Sequence, residues 1–446
     1  MYIAYDMHMI IENVTVIDGT GNAPQPGMDV HVTGGRFADI RPTGMDESRT
    51  ADDGGVVDGR GGYLIPGLWE THTHVAGPGI PGSEVTAHIR KTLATYFPAG
   101  VTAVCDLGSL YQLKRGERET LRADGTAPAL FCTRPGFTGV KGWPANSWDG
   151  SRMPELEAVD GLDTGGVRQV DNADLARWHL LRSLDDVDYV KCFLDSATGS
   201  GGRLPLDALE AIVATAHDAD KKVIVHIATG ADLKDAARAG ADCIEHSPIP
   251  RDPADPGEAE ELAEVLAECG TLYCPTIVTW EQLARNGDLA YLDELVADGI
   301  ATPEDVAEIT ARPEYGRPFP HHPAEEMQVR FEYAMRTLHV FHAAGVKLVA
   351  GSDIWPVMPT AGHALLRELQ LFAKAGLPCA EIIATATRRA AEKAGKAGSM
   401  GTITVGSAAD AVLLDADPLT DIAHVTDAHH RRAVISAGHL VHRITE

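Results

Sequence analysis

Apolar runs alternate with stretches of helical periodicity through most of the chain. Each run is short enough to be one buried strand, and the runs cover 64–69, 102–106, 129–133, 189–193, 223–226, 243–246, 272–275 and 347–351. The stretches between them predict helices, among them 83–98, 173–184, 205–219, 230–239 and 258–269. Eight strands that alternate with helices predict an α/β fold, a TIM-like (β/α)8 barrel. In such a barrel the active site lies at the carboxyl ends of the strands.

Both ends of the chain show a different pattern, in which short strands are separated by turns. Apolar runs at 9–17 and 29–33 lead into glycine-containing turns, and similar runs cover 411–415 and 432–442 near the carboxyl end. Because the termini of a chain are often close in space, we expect these runs to form one small β-sandwich domain. The predicted division is 1–64 for the first half of this domain, 65–397 for the barrel and 398–446 for the second half.

The segment before the last predicted strand is too long to be a single barrel helix. Residues 280–343 combine several helical pieces with prolines at positions 303, 313, 318, 320 and 323. An insertion here predicts either a lid over the barrel mouth, where loops select the substrate, or a packing element between subunits. The sequence leaves both interpretations open.

The composition is that of a globular protein with an acidic balance. Hydrophobic residues make up 44% and charged residues 23% of the 446 positions, a length that accommodates a barrel and a smaller domain. The formal net charge of −26 opposes binding to nucleic acid and to anionic membrane surfaces. We therefore expect neither nucleic acid nor a membrane as a partner. A small-molecule substrate and a homo-oligomeric assembly are separate expectations.

Cysteine usage and the amino terminus bear on the location of the protein. The seven cysteines form no Cys-x-x-Cys pair and mostly lie inside apolar runs, which favours buried free thiols in a reducing compartment. The amino terminus lacks a basic start followed by a long apolar core, and no stretch is apolar enough to span a bilayer. These features predict a cytoplasmic protein.

Histidine and aspartate stand at the ends of several predicted strands. His72 and His74 follow the first strand, and on an extended backbone their imidazoles point to the same side, so that both reach one metal ion. The pair alone is a weak signal, because packed or exposed histidines explain it about as often. His226, His246 and Asp353 end the fifth, sixth and eighth strands. We interpret the whole set as a metal site at the mouth of the barrel.

Lys191 adds a candidate of a different kind. It lies in the fourth predicted strand with apolar neighbours. Either it extends out of the barrel or pairs with a carboxylate, or it is buried and tends to become neutral. A neutral amine can take up carbon dioxide to form a carbamate, an anionic oxygen donor able to bridge two divalent metal ions.

This ordered set of residues resembles the amidohydrolase superfamily over nearly the whole chain. The resemblance is carried by 66–68 before the His-x-His pair, by 188–191, 243–246 and 273–276, and by the return into the small domain at 401–412. Among the branches it is most similar to the imidazolonepropionase-like and prolidase-like metal-dependent hydrolases.

The resemblance implies a binuclear metal centre. The implied ligands are His72, His74, Lys191, His226, His246 and Asp353. The first two histidines would bind the buried ion and the other two the exposed ion, both ions being divalent and expected to be zinc. Lys191, as N6-carboxylysine, would bridge them. A hydroxide shared by the ions would attack an amide carbonyl, with Asp353 as the general acid and base.

The leading hypothesis is a zinc-dependent hydrolase that cuts an amide C–N bond in a small substrate, such as a dipeptide of the Xaa-Pro type or an N-acyl amino acid. Prolidase-like members tend to have a tyrosine two residues after the fifth-strand histidine, where this chain has Ala228. That departure argues for a different substrate pocket. Arg134 and Arg203 are candidates to pair with a substrate carboxylate, and equally good candidates for surface charges.

Two alternatives belong to other classes of function. A ring-opening hydrolase of a cyclic amide (an imidazolone or a lactam) would use the same site. A deaminase is less compatible, because deaminase branches usually have one metal ion and lack the bridging lysine that Lys191 would provide. A metal-binding or scaffold protein without activity is the third possibility, and the complete set of ligand types argues against it.

Overall fold

The computed structural model describes residues 8–45, 55–76, 83–145, 162–164, 166–198, 201–255, 257–313, 315–317, 323–354 and 361–444. The strands are His8–Val16 (β1), Gln25–Thr33 (β2), Arg36–Pro42 (β3), Gly55–Asp58 (β4), Tyr63–Pro66 (β5), Leu68–Thr73 (β6), Val101–Asp106 (β7), Tyr111–Leu113 (β8), Ala129–Cys132 (β9), Gly136–Thr138 (β10), Leu162–Thr164 (β11), Val167–Gln169 (β12), Val190–Leu194 (β13), Val223–Ile227 (β14), Cys243–Glu245 (β15), Leu272–Cys274 (β16), Ala411–Leu414 (β17), Arg431–Ser436 (β18) and His439–Arg443 (β19).

The helices lie mainly between the strands of the central part of the chain. They are Val85–Ala94 (α1), Arg115–Ala123 (α2), Ala173–Leu181 (α3), Leu206–Asp218 (α4), Gly230–Arg238 (α5), Gly257–Cys269 (α6), Ile277–Ala284 (α7), Leu289–Ala297 (α8), Pro303–Thr310 (α9), Ala324–Ala343 (α10), Ala361–Lys374 (α11), Cys379–Thr385 (α12), Arg388–Lys393 (α13) and Ala423–Thr426 (α14). No helix among the described residues combines the length and the apolar character needed to cross a membrane.

The two ends of the chain meet in one sheet of eight strands, in the order β19-β18-β17-β5-β1-β2-β3, with β4 beside β1. The connection runs through β5, which is parallel to β1 and antiparallel to β17. The inward side chains form a separate apolar core, for example Val30, Phe37 and Leu413. The prediction that both ends build one β-structure is confirmed, and its separation into two facing layers stays a prediction.

The predicted first strand, 64–69, is in fact two strands in different sheets. Residues of β5 belong to the sheet of the chain ends, whereas β6 pairs with β7 in a parallel sheet. Gly67 lies between them, and a Cβ there would collide with the side chain of Thr102. The sequence reads as one apolar run because both strands are buried on both faces.

Apart from β8 and β11, which form an antiparallel pair of their own, the remaining barrel strands form parallel sheets, as strands connected by helices do. One sheet has the order β6-β7-β9 and the other β12-β10-β13-β14-β15-β16, extended by a parallel bridge from Tyr273 to Leu348. Backbone hydrogen bonds link the two sheets at both sides, from Asp188 to Cys132 (3.0 Å) and from Asp353 to His72 (2.7 Å). The arrangement is consistent with a TIM-like barrel, although strand pairing among the described residues does not form a closed ladder.

The inserted segment is helical in its described part. It contains α7, α8, α9 and α10, and α9 begins with Pro303 behind a capping box formed by Thr302 and Asp305. Residues 314 and 318–322 of the predicted insertion lie outside the described residues. The long helix α10 packs against the barrel wall, where the ring of Phe341 stacks on Tyr273 of β16 at 4.7 Å between centroids.

Candidate metal centre

Six side chains singled out in the sequence converge where parallel strands end. His72 lies on β6, and His74 comes just after it; Lys191 lies on β13 and His226 on β14. His246 directly follows β15, and Asp353 follows the strand segment that contains Leu348. Because β13, β14 and β15 are neighbours in one parallel sheet, their carboxyl ends share an edge.

Three of these residues form a compact group of donors. The ligand atoms of His72, His246 and Asp353 all lie within 4.8 Å of one another. His74 joins the group through Asp353, whose Oδ1 is 3.3 Å from His74 Nε2 and 3.6 Å from His72 Nε2. Imidazole nitrogens together with a carboxylate are the donors that zinc and similar divalent ions take in catalytic sites. The chemistry of this donor set therefore fits a divalent metal ion.

His226 adjoins the group but faces a residue that the sequence did not suggest. Its ring lies 4.6 Å from that of His246 between centroids, whereas its Nε2 is 3.3 Å from Oδ2 of Asp195. The other oxygen of Asp195 accepts the backbone N–H groups of Ala197 and Thr198. Burial raises the pKa of Asp195, but His226 and these N–H groups outweigh it and hold the pKa below its usual range. An ionised carboxylate therefore lies beside His226.

Lys191 is buried without a hydrogen-bond partner for its Nζ among the described residues. The nitrogen lies 5.2 Å from the centroid of the Phe193 ring. Burial lowers the pKa of the ammonium, since a charged group loses its hydration there. A buried amine with unused hydrogen-bonding capacity fits a neutral or modified side chain better than a free cation.

His72 is oriented by a buried pair that joins distant parts of the chain. Its Nδ1 lies 2.7 Å from Oε2 of Glu245, and Oε1 of Glu245 lies 2.7 Å from Nζ of Lys393. Lys393 also donates to the carbonyl and hydroxyl oxygens of Thr71, both at 3.0 Å. Burial raises the pKa of Glu245, but Lys393 and His72 outweigh it and hold the pKa well below its usual range. The carboxylate therefore stays ionised and accepts the Nδ1 proton of His72.

The protonation of His72 is consistent with a role as ligand. Burial, together with Lys191, lowers its pKa to about 4, so the imidazole is neutral at neutral pH. With Nδ1–H donated to Glu245, Nε2 presents its lone pair to the donor group around Asp353.

Glu70 connects the first and eighth strands beneath the centre. Its carboxyl oxygens accept the backbone N–H groups of His72 and Ser352, both at 2.9 Å, and the hydroxyl of Ser352 at 2.6 Å. Burial raises its pKa to about 7. Glu70 therefore holds the backbone at His72 and next to Asp353. These hydrogen bonds do not involve an imidazole ring.

Three residues at or beside this centre have a left-handed backbone. His246, Thr276 and Asp353 have φ angles of 79°, 48° and 44°, in the left-handed region that side chains disfavour. Each such residue costs about 1–3 kcal/mol unless its surroundings compensate. His246 Nδ1 lies 2.8 Å from Oγ1 of Thr276, which supports both residues.

The two arginines proposed for a substrate carboxylate are already paired. Arg203 contacts Asp232 at 2.8 Å and Asp235 at 2.7 Å. Arg134 lies 2.8 Å from Asp186 and borders a separate cavity of about 350 Å³, which Phe137 and Trp178 also line. Neither belongs to the donor group around Asp353.

Glu245, Lys393 and Asp195 are the functional candidates that the sequence reasoning missed. A charged residue inside the apolar run of β15 was a usable signal for Glu245, because a buried carboxylate needs a partner. Lys393 had no comparable signal, since it lies on a short helix and only tertiary packing brings it to Glu245. Asp195 directly follows β13, where a polar residue is ordinary.

Comparison with known proteins agrees with this geometry. Residues 63–441 match the amidohydrolase family, and the chain belongs to that family. The match also shows the superfamily resemblance predicted from the motifs to be correct. A dihydroorotase from Thermoanaerobacter sp. (strain X514) is 37% identical over 89 residues, which are 20% of this chain and 19% of that protein.

Solved structures with the same fold extend over the whole chain. A prolidase in complex with N-methylphosphonate-L-proline superposes with a TM-score of 0.77 at 22% identity, covering 98% of this chain and 100% of that one. A Xaa-Pro dipeptidase with bound methionine in its active site gives a TM-score of 0.71 at 20% identity, covering 97% and 99%. At these identities the likeness shows the fold alone.

Proposed function

We propose that the protein is a binuclear zinc-dependent amidohydrolase that cuts an amide C–N bond in a small substrate. The observation that carries the proposal is the donor group of His72, His246 and Asp353, within 4.8 Å of one another. His74 and His226 adjoin that group, and Lys191 is buried near it with an unused Nζ.

Different residues would bind each of the two ions. His72 and His74 would bind one ion together with Asp353, and His226 and His246 the other. Lys191, converted to N6-carboxylysine, would supply an oxygen to each ion. When bound, the ions supply Lewis acidity that lowers the pKa of water and polarises the substrate carbonyl.

Asp353 is placed to move the proton. Burial raises its pKa, but the neighbouring His72 and His74 outweigh this and hold the pKa below its usual range, so the carboxylate is ionised at neutral pH. An ionised carboxylate can accept the proton of the attacking water at an Oδ atom and pass it to the leaving nitrogen. The buried pair of Glu245 and Lys393 keeps His72 fixed while this happens.

The substrate class that we propose is a dipeptide of the Xaa-Pro type or an N-acyl amino acid. The similar folds of the prolidase and the Xaa-Pro dipeptidase support an amide of this size. Ala228 stands where prolidase-like members tend to have tyrosine. For that reason we extend the proposal beyond proline-containing dipeptides.

A ring-opening hydrolase of cyclic amides is the second candidate. Two points support this candidate: the 89-residue match to a dihydroorotase, and the fact that ring opening would use the same metal-binding side chains. A deaminase is the less favoured alternative, because deaminase branches usually lack a bridging lysine and the buried Lys191 would serve as one.

Mass spectrometry of products from one pooled library tests the proposal. The zinc-loaded protein would receive dipeptides, N-acyl amino acids, lactams, imidazolones and aminated heterocycles. We expect a substrate to split with uptake of one water. Uptake of water without splitting would instead establish ring opening, and replacement of an amine by oxygen would establish deamination. No product from the pool, with two zinc ions bound, would contradict all three.

Three further expectations stand as predictions. They are a homo-oligomeric assembly, a cytoplasmic location, and the division of the chain at 64/65 and 397/398 with an insertion at about 280–343 that acts as a lid or as an interface.

A further inference from the structure

Arg330 is a buried cation beside the candidate metal centre. It lies on α10 of the inserted segment and is only 6% exposed. Its Nη2 donates to the carbonyl oxygen of Ser247 at 2.7 Å, and Ser247 directly follows His246. The guanidinium carbon lies 3.6 Å from the centroid of the Trp280 ring, which in turn stands edge-on to His246 at 5.8 Å. The inserted helix therefore brings a positive charge next to a candidate ligand.

No carboxylate contacts this charge in the part of the chain that the structure describes, and the ionised Asp195 favours it only from beyond salt-bridge distance. No Asp or Glu oxygen there lies within 4.0 Å of the Arg330 guanidinium nitrogens, and its Nε, shielded from solvent, has no hydrogen-bond partner. Burial lowers the pKa of Arg330 to about 10, so it is still charged at neutral pH. A buried charge is costly until a counter-charge approaches it.

Other buried arginines of the chain have carboxylate or backbone partners, although the Nε of Arg118, like that of Arg330, has no hydrogen-bond partner in the described part of the chain. Arg367 is surrounded by three carboxylates, and Arg118 pairs with Asp188. Arg431 donates its Nε and Nη1 to the backbone carbonyls of Pro98 and Val425. Arg330 lies beside the metal centre, has no carboxylate in contact and has an Nε without a hydrogen-bond partner among the described residues.

The proposed substrates carry an anionic group that Arg330 could bind. N-acyl amino acids and dipeptides carry a free carboxylate one carbon away from the amide nitrogen, whereas a neutral lactam carries none. Guanidinium groups bind carboxylates through parallel N–H donors, and such bonds are strong where water is excluded. We propose that Arg330 binds this free carboxylate and thereby selects anionic N-acyl amino acids and dipeptides. The inference rests on the amide hydrolysis proposed above and adds the charge of the substrate.

Paired acid and carboxamide ligands test this inference with the full-length, zinc-loaded protein. The probes are N-acetyl-L-proline, N-acetyl-L-phenylalanine and L-alanyl-L-proline, each beside its C-terminal carboxamide. Affinity is measured as KM where the probe is cleaved and as a calorimetric Kd where it is not. We expect the wild type to bind at least one acid about tenfold or more tightly than its carboxamide.

Substitution of Arg330 should remove that preference. We expect Arg330→Met to weaken binding of the acid by about 10- to 100-fold and to leave the carboxamide unchanged. Arg330→Lys keeps the charge but not the paired donors, so it should lose part of the preference. Arg336→Met, an exposed arginine of the same helix, is the matched control and should change neither ligand. Circular dichroism of each variant shows whether it is folded.

The possible outcomes separate this inference from the proposed function. Equal losses for acid and carboxamide in Arg330→Met would give the arginine a structural role only and overturn the inference. A wild type that shows no preference for any acid, or binds no probe, would also overturn it. Preferential binding without cleavage would support the carboxylate site and contradict amide hydrolysis of these probes. Cleavage of the acid and the carboxamide without preference would support amide hydrolysis and contradict the carboxylate site.

Discussion

Oε2 of Glu245 lies 2.7 Å from Nδ1 of His72, and both side chains are buried. The carboxylate takes the proton of Nδ1 and so leaves Nε2 of His72 as the donor atom that faces Asp353. Lys393 holds the same carboxylate from its other oxygen. A chain of three buried side chains therefore determines which nitrogen of His72 is available to a metal ion.

Glu245→Gln should weaken zinc binding by about 10- to 100-fold. His72 and Lys393 donate to different oxygens of Glu245, and in glutamine one of these oxygens is replaced by an NH2 group that cannot accept. Titration of zinc against a competing chelator measures the loss. Glu261→Gln removes an exposed carboxylate on α6 that pairs with Lys234, and it should leave the zinc affinity unchanged. Equal zinc affinity in Glu245→Gln and the wild type would contradict the orienting role.

Lys393→Met should lower the free energy of unfolding by about 3–5 kcal/mol, because it leaves the buried carboxylate of Glu245 without its cation. Urea denaturation of the metal-free protein measures the change. The double variant Lys393→Met with Glu245→Gln removes both charges and should be more stable than the single variant. If the double variant loses as much as the sum of the two single ones, the residues do not act as a pair.

Lys191→Ala should lose bound zinc and hydrolytic activity together, since the bridging oxygens disappear with the side chain. Short carboxylic acids such as acetate or propionate, added at high concentration, should restore part of both. Metal analysis and product assays measure the effect. Lys222→Ala, at the exposed lysine that pairs with Asp242, is the control. Two bound metal ions in the wild type with a free amine at Lys191 would contradict the bridge.

Glu368 should make the stability of the protein depend on pH. Burial raises its pKa from 4.5 to about 8, although the N–H groups of Ile277 and Val278 oppose the shift. The folded state therefore holds a proton that the unfolded state releases above pH 4.5, and this contribution to stability is lost as the pH rises toward about 8.

The variant Glu368→Gln has no titrating group at this position. Relative to the wild type, its free energy of unfolding should therefore increase between about pH 5 and about pH 8. Urea denaturation at several pH values measures the difference, with the exposed Glu326→Gln as the control. A difference between wild type and Glu368→Gln that is constant across this range would contradict a raised pKa.

The sequence predicted the parts of the fold that depend on local pattern. Buried strands such as β13 and β14 were visible as apolar runs, and Lys191 and His226 within them indicated donors. The division of one run into β5 and β6 was not visible, because it appears only in the pairing of β5 with β17 and of β6 with β7, where Gly67 lies against Thr102. The last barrel strand was predicted at 347–351, and the structure has only the bridge at Leu348 there.

The contacts between donors and their supports could not be predicted. The approach of Lys393 to Glu245 and that of Arg330 to Ser247 both join segments far apart in sequence. Neither residue type nor spacing indicates such a contact, because it arises only when helices pack on the strands. Likewise, neither the left-handed backbone at Asp353 nor the hydrogen bond from its N–H group to the carbonyl of His72 is indicated by its neighbours in the chain.

The binuclear centre is tested most directly by anomalous diffraction at the zinc absorption edge from crystals of the zinc-loaded protein. We predict two peaks, one beside His72, His74 and Asp353 and one beside His226 and His246, with added density on Nζ of Lys191. A single peak, or none, at this cluster would contradict the account.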